Sequence, residues 1–439
     1  MMNSTRKKAC PRLAETAAWA LDAENERDAR RLAAHVARCP ECAAEAQAVR
    51  ATVRQVRAAA RREPAPDLTR RIMQALPAEP AARPAFHPAF LPLRFAAAAV
   101  LLAVGAGVLA LRVRDRRQTQ ASLDRERLTR QADAAASWIA AQQESDGTWR
   151  PSLTGGNDAY RPALTALALM ALQRQSPEAQ AGAIRRGVAA LVALQTPEGA
   201  FCRTRGARLY NHAFAANALF ALPPRLARLP EVQAARNRAL AFSLAAQTPQ
   251  GAWDYDAEGS GNTALSIWQI ALLTQARAQG WADDRGHLRR SLAWLQRQSA
   301  GRAFGYRQPG VLPPGDAEGL TLTAMAAATL LDAAREYPAL QPAAEAAADA
   351  LRQLRNRNAV TAPDYYRDYF LARVSAGVAD LRALGEVQAR LARAAAPAGA
   401  GGAHWVADDA WRTAGGDLYA TSLAVLSPRT GVAPPTVPR

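Results

Sequence analysis

From about residue 130 to residue 428 the chain alternates between two kinds of segment with helical hydrophobic periodicity. The first kind is amphipathic and ends in glutamine, followed by a polar turn with a glycine and then an aromatic residue, as in "AALVALQTPEGAF" (189–201). The second kind follows the turn and is almost wholly apolar, as in "AFAANALFAL" (213–222). Because only the first kind has a polar face for water, we expect the apolar helices inside and the amphipathic helices outside.

The glutamines of these segments mark an internal repeat. Successive glutamines are 52, 52 and 51 residues apart, a period typical of stacked helical hairpins. The four are Gln143, Gln195, Gln247 and Gln298. Two weaker units follow, at Tyr365–Gly377 and His404–Leu426. We therefore predict an all-α fold in which about six hairpins, over residues 131–428, close into an α/α toroid.

A separate apolar run precedes the repeats. "FAAAAVLLAVGAGVLAL", residues 95–111, contains no charge and is bounded by Arg94 and Arg112. At about 1.5 Å per residue it is marginal for a bilayer core of about 30 Å, and the flanking arginines can snorkel to the interface. The alternative is a buried helix of the following domain, but no residue of the run offers a polar face. We predict a single transmembrane helix at 95–113 that contacts the lipid bilayer through residues 95–111.

The N-terminal region contains a candidate metal site, "HVARCPEC" (35–42). His35 and Cys39 are four residues apart, so they lie on one face of a helix, and Cys42 completes a Cys-x-x-Cys knuckle. Cys10, which precedes the first helical stretch, would supply a fourth ligand. Three thiolates and an imidazole suit a structural Zn²⁺ without a vacant position for catalysis. The alternatives are a redox dithiol and a small helical domain with merely buried cysteines.

These segments divide the chain into six parts. We predict a zinc module at 1–62, a proline-rich linker with a short amphipathic helix at 63–94, the transmembrane helix at 95–113, a juxtamembrane linker at 114–130, the toroid at 131–428 and a proline-rich tail at 429–439.

Charge and cysteine content argue against a nucleic-acid-binding protein and against a disulfide-stabilised protein. The formal net charge is +17, and Lys7 and Lys8 are the only lysines. The arginines are dispersed along helices among acidic residues, and no basic run is interleaved with aromatics, so we predict no direct contact with nucleic acid. Three of the four cysteines belong to the candidate metal site and Cys202 stands alone, which is not a disulfide framework.

The upstream cysteine followed by H-V-A-R-C-P-E-C resembles the zinc-finger anti-sigma-factor domain. The resemblance extends from the start of the chain to about Leu76, and a membrane span after a proline-rich linker also fits it. It implies a module that holds zinc through Cys10, His35, Cys39 and Cys42 and occludes an RNA-polymerase sigma factor. It also implies that the helix "APDLTRRIMQAL" (65–76) wraps the sigma factor, whereas a helical spacer is the alternative. The apolar side of this helix is formed by Leu68, Ile72, Met73 and Leu76.

The glutamine–turn–glycine–aromatic pattern resembles the repeat of squalene and terpenoid cyclases and protein prenyltransferases. The resemblance implies that glutamine caps a helix end and stacks on the aromatic, a structural role. The catalytic D-x-D-D-T-A acid of those cyclases is replaced by Gly259, Ser260, Gly261 and Asn262. Asp254 and Asp256 lie in the preceding turn, where we expect solvated carboxylates. The prenyltransferase zinc triad is not recognisable either, since no cysteine accompanies His212 or Asp316. We therefore predict no enzyme.

Polar and aromatic residues at the starts of the inner helices form a candidate ligand pocket. If these helix ends meet at one mouth of the ring, they would face a shared ligand, either a small molecule or a protein. Helix capping is the alternative for Asn262, Asp316 and Asp417. The candidates are Tyr160, Arg161, Asn211, His212, Asn262, Asp316, Glu318, Tyr366, Asp368, Asp417 and Tyr419.

The leading hypothesis is a membrane-anchored, anti-sigma-like regulator whose toroid senses a ligand or protein across a bacterial cytoplasmic membrane. A membrane-tethered terpenoid- or prenyl-transforming enzyme and a non-catalytic envelope scaffold are the alternatives. A sigma-binding module must be cytoplasmic, which puts the toroid in the periplasm or outside. The flanking arginines favour the opposite orientation, because Arg112, Arg114, Arg116 and Arg117 crowd the C-terminal flank of the span, whereas Arg83 and Arg94 stand alone on its N-terminal flank. We give more weight to the thiolates, which need a reducing compartment.

Overall fold

The computed structural model describes residue 10 and residues 33–60, 93–255, 259–283, 285–313, 316, 319–358, 360, 362–398 and 402–428. Within these ranges the chain is mainly helical, as predicted, with one sheet of two strands. It divides into two compact units, Met1–Ala98 and Ala99–Arg439. Three predicted features lie outside the described residues: the partner-binding set (Leu68, Ile72, Met73 and Leu76), the proline-rich linker up to residue 92, and the tail at 429–439.

The described part of the first unit is a turn between two helical segments. Residues 33–36 are helical, a turn follows, and helix α1 (Pro40–Ala60) begins with proline. Proline favours a first helical position because its fixed φ is already helical and its missing N–H would have no partner there. The Cys-Pro-Glu-Cys sequence therefore places the two cysteines on either side of a helix start.

Helix α2 (Leu93–Ala141) is one continuous helix of 49 residues. Its backbone includes the predicted span at 95–111 and the predicted juxtamembrane linker at 114–130, so the linker is helical and continues directly into the repeats. The side chains of residues 93–111 lie outside those described. In the described part of the chain, no helix combines the length and the hydropathy of a membrane span. The span stays a prediction.

Beyond α2 the helices alternate between two positions. We call them core helices and outer helices. The core helices are α3 (Arg161–Gln175), α5 (Arg208–Phe220), α8 (Thr263–Ala278), α10 (Leu320–Ala334), α12 (Tyr365–Gly377) and α14 (Arg412–Leu426). The outer helices are the C-terminal part of α2, then α4 (Ala181–Leu194), α7 (Pro230–Ala245), α9 (His287–Arg297), α11 (Gln341–Arg357) and α13 (Leu381–Ala394). A single-turn helix α6 (Pro224–Ala227) lies between α5 and α7.

The core helices form a closed cycle of contacts. Each packs against the next core helix in the chain, from α3 through α5, α8, α10 and α12 to α14, and α14 packs against α3. The many alanines of these helices allow backbones to approach closely without voids. The last repeat therefore meets the first through contacts between residues that are far apart in sequence.

Burial separates the two kinds of helix as their hydrophobic patterns predict. Core helix α5 buries eleven of its 13 residues, whereas outer helix α9 buries five of its 11. In α9 these include Leu288, Leu292 and Leu295, which recur at helical spacing on one face. Outer helices thus close the core on one side and turn their polar residues to water.

The glutamine of each of the first three turns connects neighbouring repeats. The side-chain amide of Gln195 donates to the carbonyl oxygen of Gly199 in its own turn (3.0 Å) and to that of Ala235 in α7 (2.9 Å). Gln143 and Gln247 make equivalent pairs of bonds. The amide therefore joins backbone carbonyls of two repeats, which is a structural role. Gln298 departs from the pattern, since its buried Oε1 has no partner among the described residues.

The turn tryptophans are anchored to the outer helix that precedes them. The indole N–H of Trp253 donates to the carbonyl oxygen of Ser243 (2.8 Å), and that of Trp149 to Ile139 (2.6 Å).

In the last repeat the turn is a β-hairpin. Its strands are β1 (Ala395–Ala398) and β2 (Gly402–Trp405), with Ala395 opposite Trp405. The indole N–H of Trp405 donates to the carbonyl oxygen of Leu391 (2.8 Å), as the other turn tryptophans do to their own outer helices. This hairpin is a local exception to the predicted all-α fold.

Candidate metal centre and candidate ligand residues

Cys10, His35, Cys39 and Cys42 lie together in the first unit. One ligand atom from each of these residues is within 4.8 Å of all the others. The Sγ atom of Cys10 is 3.4 Å from Nε2 of His35. The four residues that the sequence pattern singled out are therefore the four that the fold brings together, and they could hold a metal ion.

The backbone around the knuckle positions three of these ligands. The N–H groups of Arg38 and Cys39 both donate to the carbonyl oxygen of His35 (2.9 and 3.0 Å), so the chain tightens at the end of the short helix. The carbonyl oxygen of Cys39 accepts from Ala43 in the first turn of α1 (2.9 Å). Cys42 is wholly buried. A metal bound here would be shielded from solvent on the Cys42 side.

Cys10 reaches the site from a distant part of the chain and is held by Glu41. The backbone N–H of Cys10 donates to the Glu41 carboxylate at 3.0 Å. Glu41 also lies in the first turn of α1, where a carboxylate interacts favourably with the helix dipole. Sequence reasoning missed this residue, although its place between Pro40 and Cys42 in the knuckle was visible.

The surroundings of Cys39 favour its thiolate form. The backbone N–H of Cys42 has the largest effect and lowers the pKa of the Cys39 thiol below its ordinary value. The side chains of Cys42 and Cys10 lower this pKa further, while partial desolvation opposes them. A thiolate is the form that binds metals, so these hydrogen bonds prepare Cys39 as a ligand.

The donor set fits a metal with tetrahedral preference and affinity for sulfur. Three cysteines and one histidine, with ligand atoms at most 4.8 Å apart, supply four ligands and leave no position for a substrate. No other group of three or more histidine, cysteine or acidic side chains in the described part of the chain is arranged to hold a metal. The cluster in the first unit is thus the candidate metal centre.

Three of the candidate ligand residues in the second unit accept hydrogen bonds from the backbone at turns and helix starts. Asn262 accepts from the N–H of Leu265 (2.8 Å) and caps α8. Asp316 accepts from two N–H groups at the start of α10 (both 3.0 Å), and Asp417 from the N–H of Ala407 (2.8 Å). The capping alternative therefore has direct contacts behind it for Asn262 and Asp316, whereas Asp417 binds a backbone N–H of the segment that precedes α14.

Asn211 links two neighbouring repeats through its side chain. Its amide donates to the carbonyl oxygens of Ala159 (2.7 Å) and Ala207 (3.1 Å), and its Oδ1 accepts from the N–H of Ala163 (2.9 Å). Because Ala159 and Ala163 lie at the start of α3 and Asn211 belongs to α5, these bonds hold two core-helix starts together.

Four other charged and aromatic candidates have hydrogen-bond partners within the second unit, whereas Tyr160 is partly buried and packs against its hydrophobic core. Buried Asp368 forms two hydrogen bonds with the guanidinium of Arg390, at 2.6 and 3.0 Å. Arg161 bonds Thr148 (2.7 Å) and Asp146 (2.6 Å) in the first turn. Tyr419 donates to Asp409 (3.1 Å), and the hydroxyl of Tyr366 accepts from the indole of Trp268. Glu318 lies outside the described residues.

His212 is wholly enclosed within the second unit. Its Nε2 is 2.8 Å from the hydroxyl of Ser243, and its ring lies against Phe242 and Phe201. Burial lowers the pKa of His212 to about 3. The ring is therefore neutral at physiological pH and packs as a core residue.

Asp254 corrects an expectation from the sequence. Its side chain is 1% exposed, pairs with Arg307 at 2.7 Å and accepts from the N–H of Gly261 (3.1 Å). It is thus a buried, ion-paired carboxylate rather than a solvated one, because the turn folds back over it. Asp256 lies outside the described residues.

Tyrosines lie near the starts of the core helices, a feature that sequence reasoning recognised only in part. The rings of Tyr210 and Tyr255 have centroids 5.9 Å apart. Burial raises the pKa of Tyr210 well above its ordinary value, and the nearby Tyr366, Tyr255 and Tyr306 act in the same direction. Three of these tyrosines were missed. Tyr255 and Tyr306 could have been found, since each stands two positions after the aromatic of its turn.

Comparison with known proteins adds no identity: no protein-family model matches the chain, and no curated protein does.

Proposed function

We propose that this chain is a membrane-anchored regulator similar to anti-sigma factors. In this proposal a zinc-bound N-terminal module binds a cytoplasmic sigma factor, and a helical toroid senses a ligand or protein on the other side of the membrane. The observation that carries it is the cluster of Cys10, His35, Cys39 and Cys42, whose ligand atoms lie within 4.8 Å of one another.

Zn²⁺ is the metal that this donor set suits best. A closed set of three thiolates and one imidazole is typical of structural zinc sites, and such sites supply folding energy to modules with small cores. The role proposed for the metal is therefore to hold the module in its partner-binding form. Residues 65–76, for which the sequence predicts a helix, would be a further contact to the sigma factor.

The membrane and toroid parts of the proposal have their own support. The helical backbone of α2 covers the whole apolar run at 95–111. The closed cycle of contacts among the core helices is the arrangement expected of an α/α toroid. In this proposal the N-terminus is cytoplasmic, because thiolates need a reducing compartment, and the toroid is in the periplasm or outside.

We propose no catalytic role for the toroid as the leading function. Asp254, the buried carboxylate nearest the expected acid, is paired with Arg307 and accepts backbone hydrogen bonds. These contacts already engage both carboxylate oxygens of Asp254 as acceptors. Asn262, at a position where the cyclases have an acid, caps α8.

Affinity purification of the full-length chain tests the proposed function. The chain carries a C-terminal tag, and co-purified proteins from cells in which it is native are identified by mass spectrometry, together with the zinc content. We expect one zinc per chain and a sigma factor with the wild type, and loss of both with Cys39→Ser.

Cys202→Ser is the matched control, because Cys202 is a cysteine of the second unit outside the cluster. It should retain both zinc and the sigma factor. Purification of the wild type without any sigma factor would contradict the proposal, and so would equal recovery with Cys39→Ser.

The tyrosines at the starts of the core helices favour a second candidate, a membrane-tethered terpenoid- or prenyl-transforming enzyme. Aromatic faces attract cations, and a cationic intermediate would be stabilised there. Lipid extracts of cells that overproduce the chain test this candidate. A terpenoid product present with the wild type and lost with Tyr366→Ala would favour it over the regulator.

A further inference from the structure

A groove in the second unit is formed by outer helices and connects two repeats to α2. Its volume is about 830 Å³. Gln120 and Asp124 of α2 form one wall, and the end of α11 and the length of α13 form the others. None of the ligand residues expected from the sequence lines this groove.

The groove is lined by arginines and carboxylates. Five arginines line it, Arg352, Arg355, Arg382, Arg390 and Arg393. Three carboxylates line it as well, from Asp124, Asp380 and Glu386. Two of these arginines are neutralised by carboxylates outside the lining, Arg352 by Asp349 and Arg390 by Asp368, so the attraction of an anion falls to the arginines with free donors.

Two of the arginines are fixed in place. The side chain of Arg390 is 8% exposed and is held by two hydrogen bonds to Asp368. Arg355 is 17% exposed and lies 2.8 Å from Glu386 and 3.5 Å from Asp380. These pairs join α11, α12 and α13, so they make the floor and one side of the groove rigid.

Two other arginines have hydrogen-bond donors to spare. Arg393 is exposed, and its side chain makes no hydrogen bond or ion pair within the described part of the chain. Arg382 is 86% exposed and bonds the carboxylate of Glu386, which it shares with Arg355, at 3.1 Å. Exposed surface pairs of this kind add little to stability, so a ligand could take the place of Glu386 on Arg382 at little cost.

We propose that this groove binds a soluble oxyanion, a small molecule with phosphate or carboxylate groups, through Arg393 and Arg382. The planar guanidinium matches both groups through paired hydrogen bonds. The proposal names the ligand class and the binding site of the sensor described under the proposed function. It rests on that function only for the biological role of the bound ligand, not for the binding itself.

The position of the groove along α2 favours a soluble ligand over a lipid headgroup. Gln120 lies nine residues beyond Leu111, the end of the proposed span. At about 1.5 Å per residue this is about 14 Å along the helix, beyond the headgroup layer of about 5–8 Å. Because α2 is one helix from Leu93 to Ala141, a ligand against Gln120 and Asp124 contacts the same helix that contains the apolar run.

Isothermal titration of the full-length chain in detergent micelles tests the inference with two probes, inorganic pyrophosphate and citrate. We expect saturable binding of at least one probe with one site per chain. Arg393→Ala should weaken it at least tenfold without a change in the thermal unfolding midpoint, since the Arg393 guanidinium has no polar partner in the described fold. Arg185→Ala, which removes an exposed arginine of α4 outside the groove, is the matched control and should bind as the wild type does.

Hydrogen exchange adds a readout at α2. Amides near residues 118–126 should exchange more slowly with the probe bound, in the wild type and in Arg185→Ala. Absence of saturable binding of both probes, or unchanged affinity in Arg393→Ala, overturns the inference. No sigma factor is needed for these measurements, so failure of the purification experiment and failure of this one are distinguishable.

Discussion

Three of the four proposed metal ligands owe their placement to residues close in the chain. His35, Cys39 and Cys42 lie around one helix end and one helix start, and their backbone hydrogen bonds are local. Cys10 is different, because it reaches the site across 25 residues of sequence. Its position depends on a tertiary contact, the hydrogen bond to Glu41.

We expect Glu41 to act as a positioning residue for Cys10. Glu41→Ala should lower the affinity for Zn²⁺ about 10–100-fold, the usual effect of losing a group that orients a ligand. With Co²⁺ in place of Zn²⁺, the sulfur-to-metal charge-transfer absorption should fall as Cys10 leaves the metal. Glu41→Gln keeps an acceptor for the Cys10 N–H and should retain most of the affinity. An Ala variant with wild-type affinity and spectrum would exclude this role.

Among the residues of the second unit, His212 should make the stability pH-dependent. Its folded-state pKa is lowered to about 3 from an ordinary 6.5, so the unfolded chain takes up a proton first as the pH falls. Its contribution to stability is complete above pH 6.5 and is lost progressively between pH 6.5 and 3. Between pH 7.5 and 5 the loss is about 2 kcal/mol.

Urea unfolding of the wild type and His212→Gln at these two pH values measures this effect. The variant is less stable than the wild type at pH 7.5. Between pH 7.5 and pH 5, however, its free energy of unfolding should fall by about 2 kcal/mol less than that of the wild type. Identical pH dependence in both proteins would show that His212 is not the group responsible.

At the scale of elements, the turn between outer and core helix recurs throughout the second unit. Gly251 has φ +97°, and a Cβ there would lie 2.7 Å from the carbonyl oxygen of Arg290 in the next outer helix. The glycine therefore serves two purposes, a left-handed backbone and a close approach between repeats. The periodic glycine was visible in the sequence, but the carbonyl that excludes a side chain was not.

Gly251→Ala and Gly280→Ala separate the effect of the left-handed backbone from the effect of the close approach between repeats. Gly280 has a similar φ of +94°, but a Cβ would meet nothing within 4 Å. We expect Gly280→Ala to cost about 1 kcal/mol from backbone strain alone. Gly251→Ala should cost about 2 kcal/mol more, because repeats must move apart. If urea unfolding showed the same loss of unfolding free energy in both variants, the close approach to Arg290 would contribute nothing to the cost.

At the scale of the whole molecule, the chain consists of two compact units with different sources of stability. The second unit has a large continuous hydrophobic core. The described part of the first unit has few buried apolar side chains, among them Ala46. Units with small cores commonly depend on a metal or another cross-link.

Metal removal should therefore affect the two units unequally. We expect a strong chelator to abolish the helical signal of the first unit in circular dichroism and to leave the main thermal transition of the second unit unchanged. Cys39→Ser should reproduce this result without chelator, and Cys202→Ser should behave as the wild type. A lower midpoint of the main thermal transition on chelation would contradict the expectation that the second unit is stable without the metal.

Local pattern was sufficient to predict the alternation of core and outer helices and the four residues of the metal cluster. The reason is that burial and helical spacing act on residues a few positions apart or in a regular repeat, while Cys10 was recognisable as a fourth ligand by its residue type alone. Tertiary structure decided the rest. It buried Asp254 beside Arg307, placed Glu41 on the Cys10 backbone and enclosed His212. It also gathered the arginines of α11 and α13 around one groove beside α2. Each of these contacts joins residues whose separation in the chain contains no signal of their meeting.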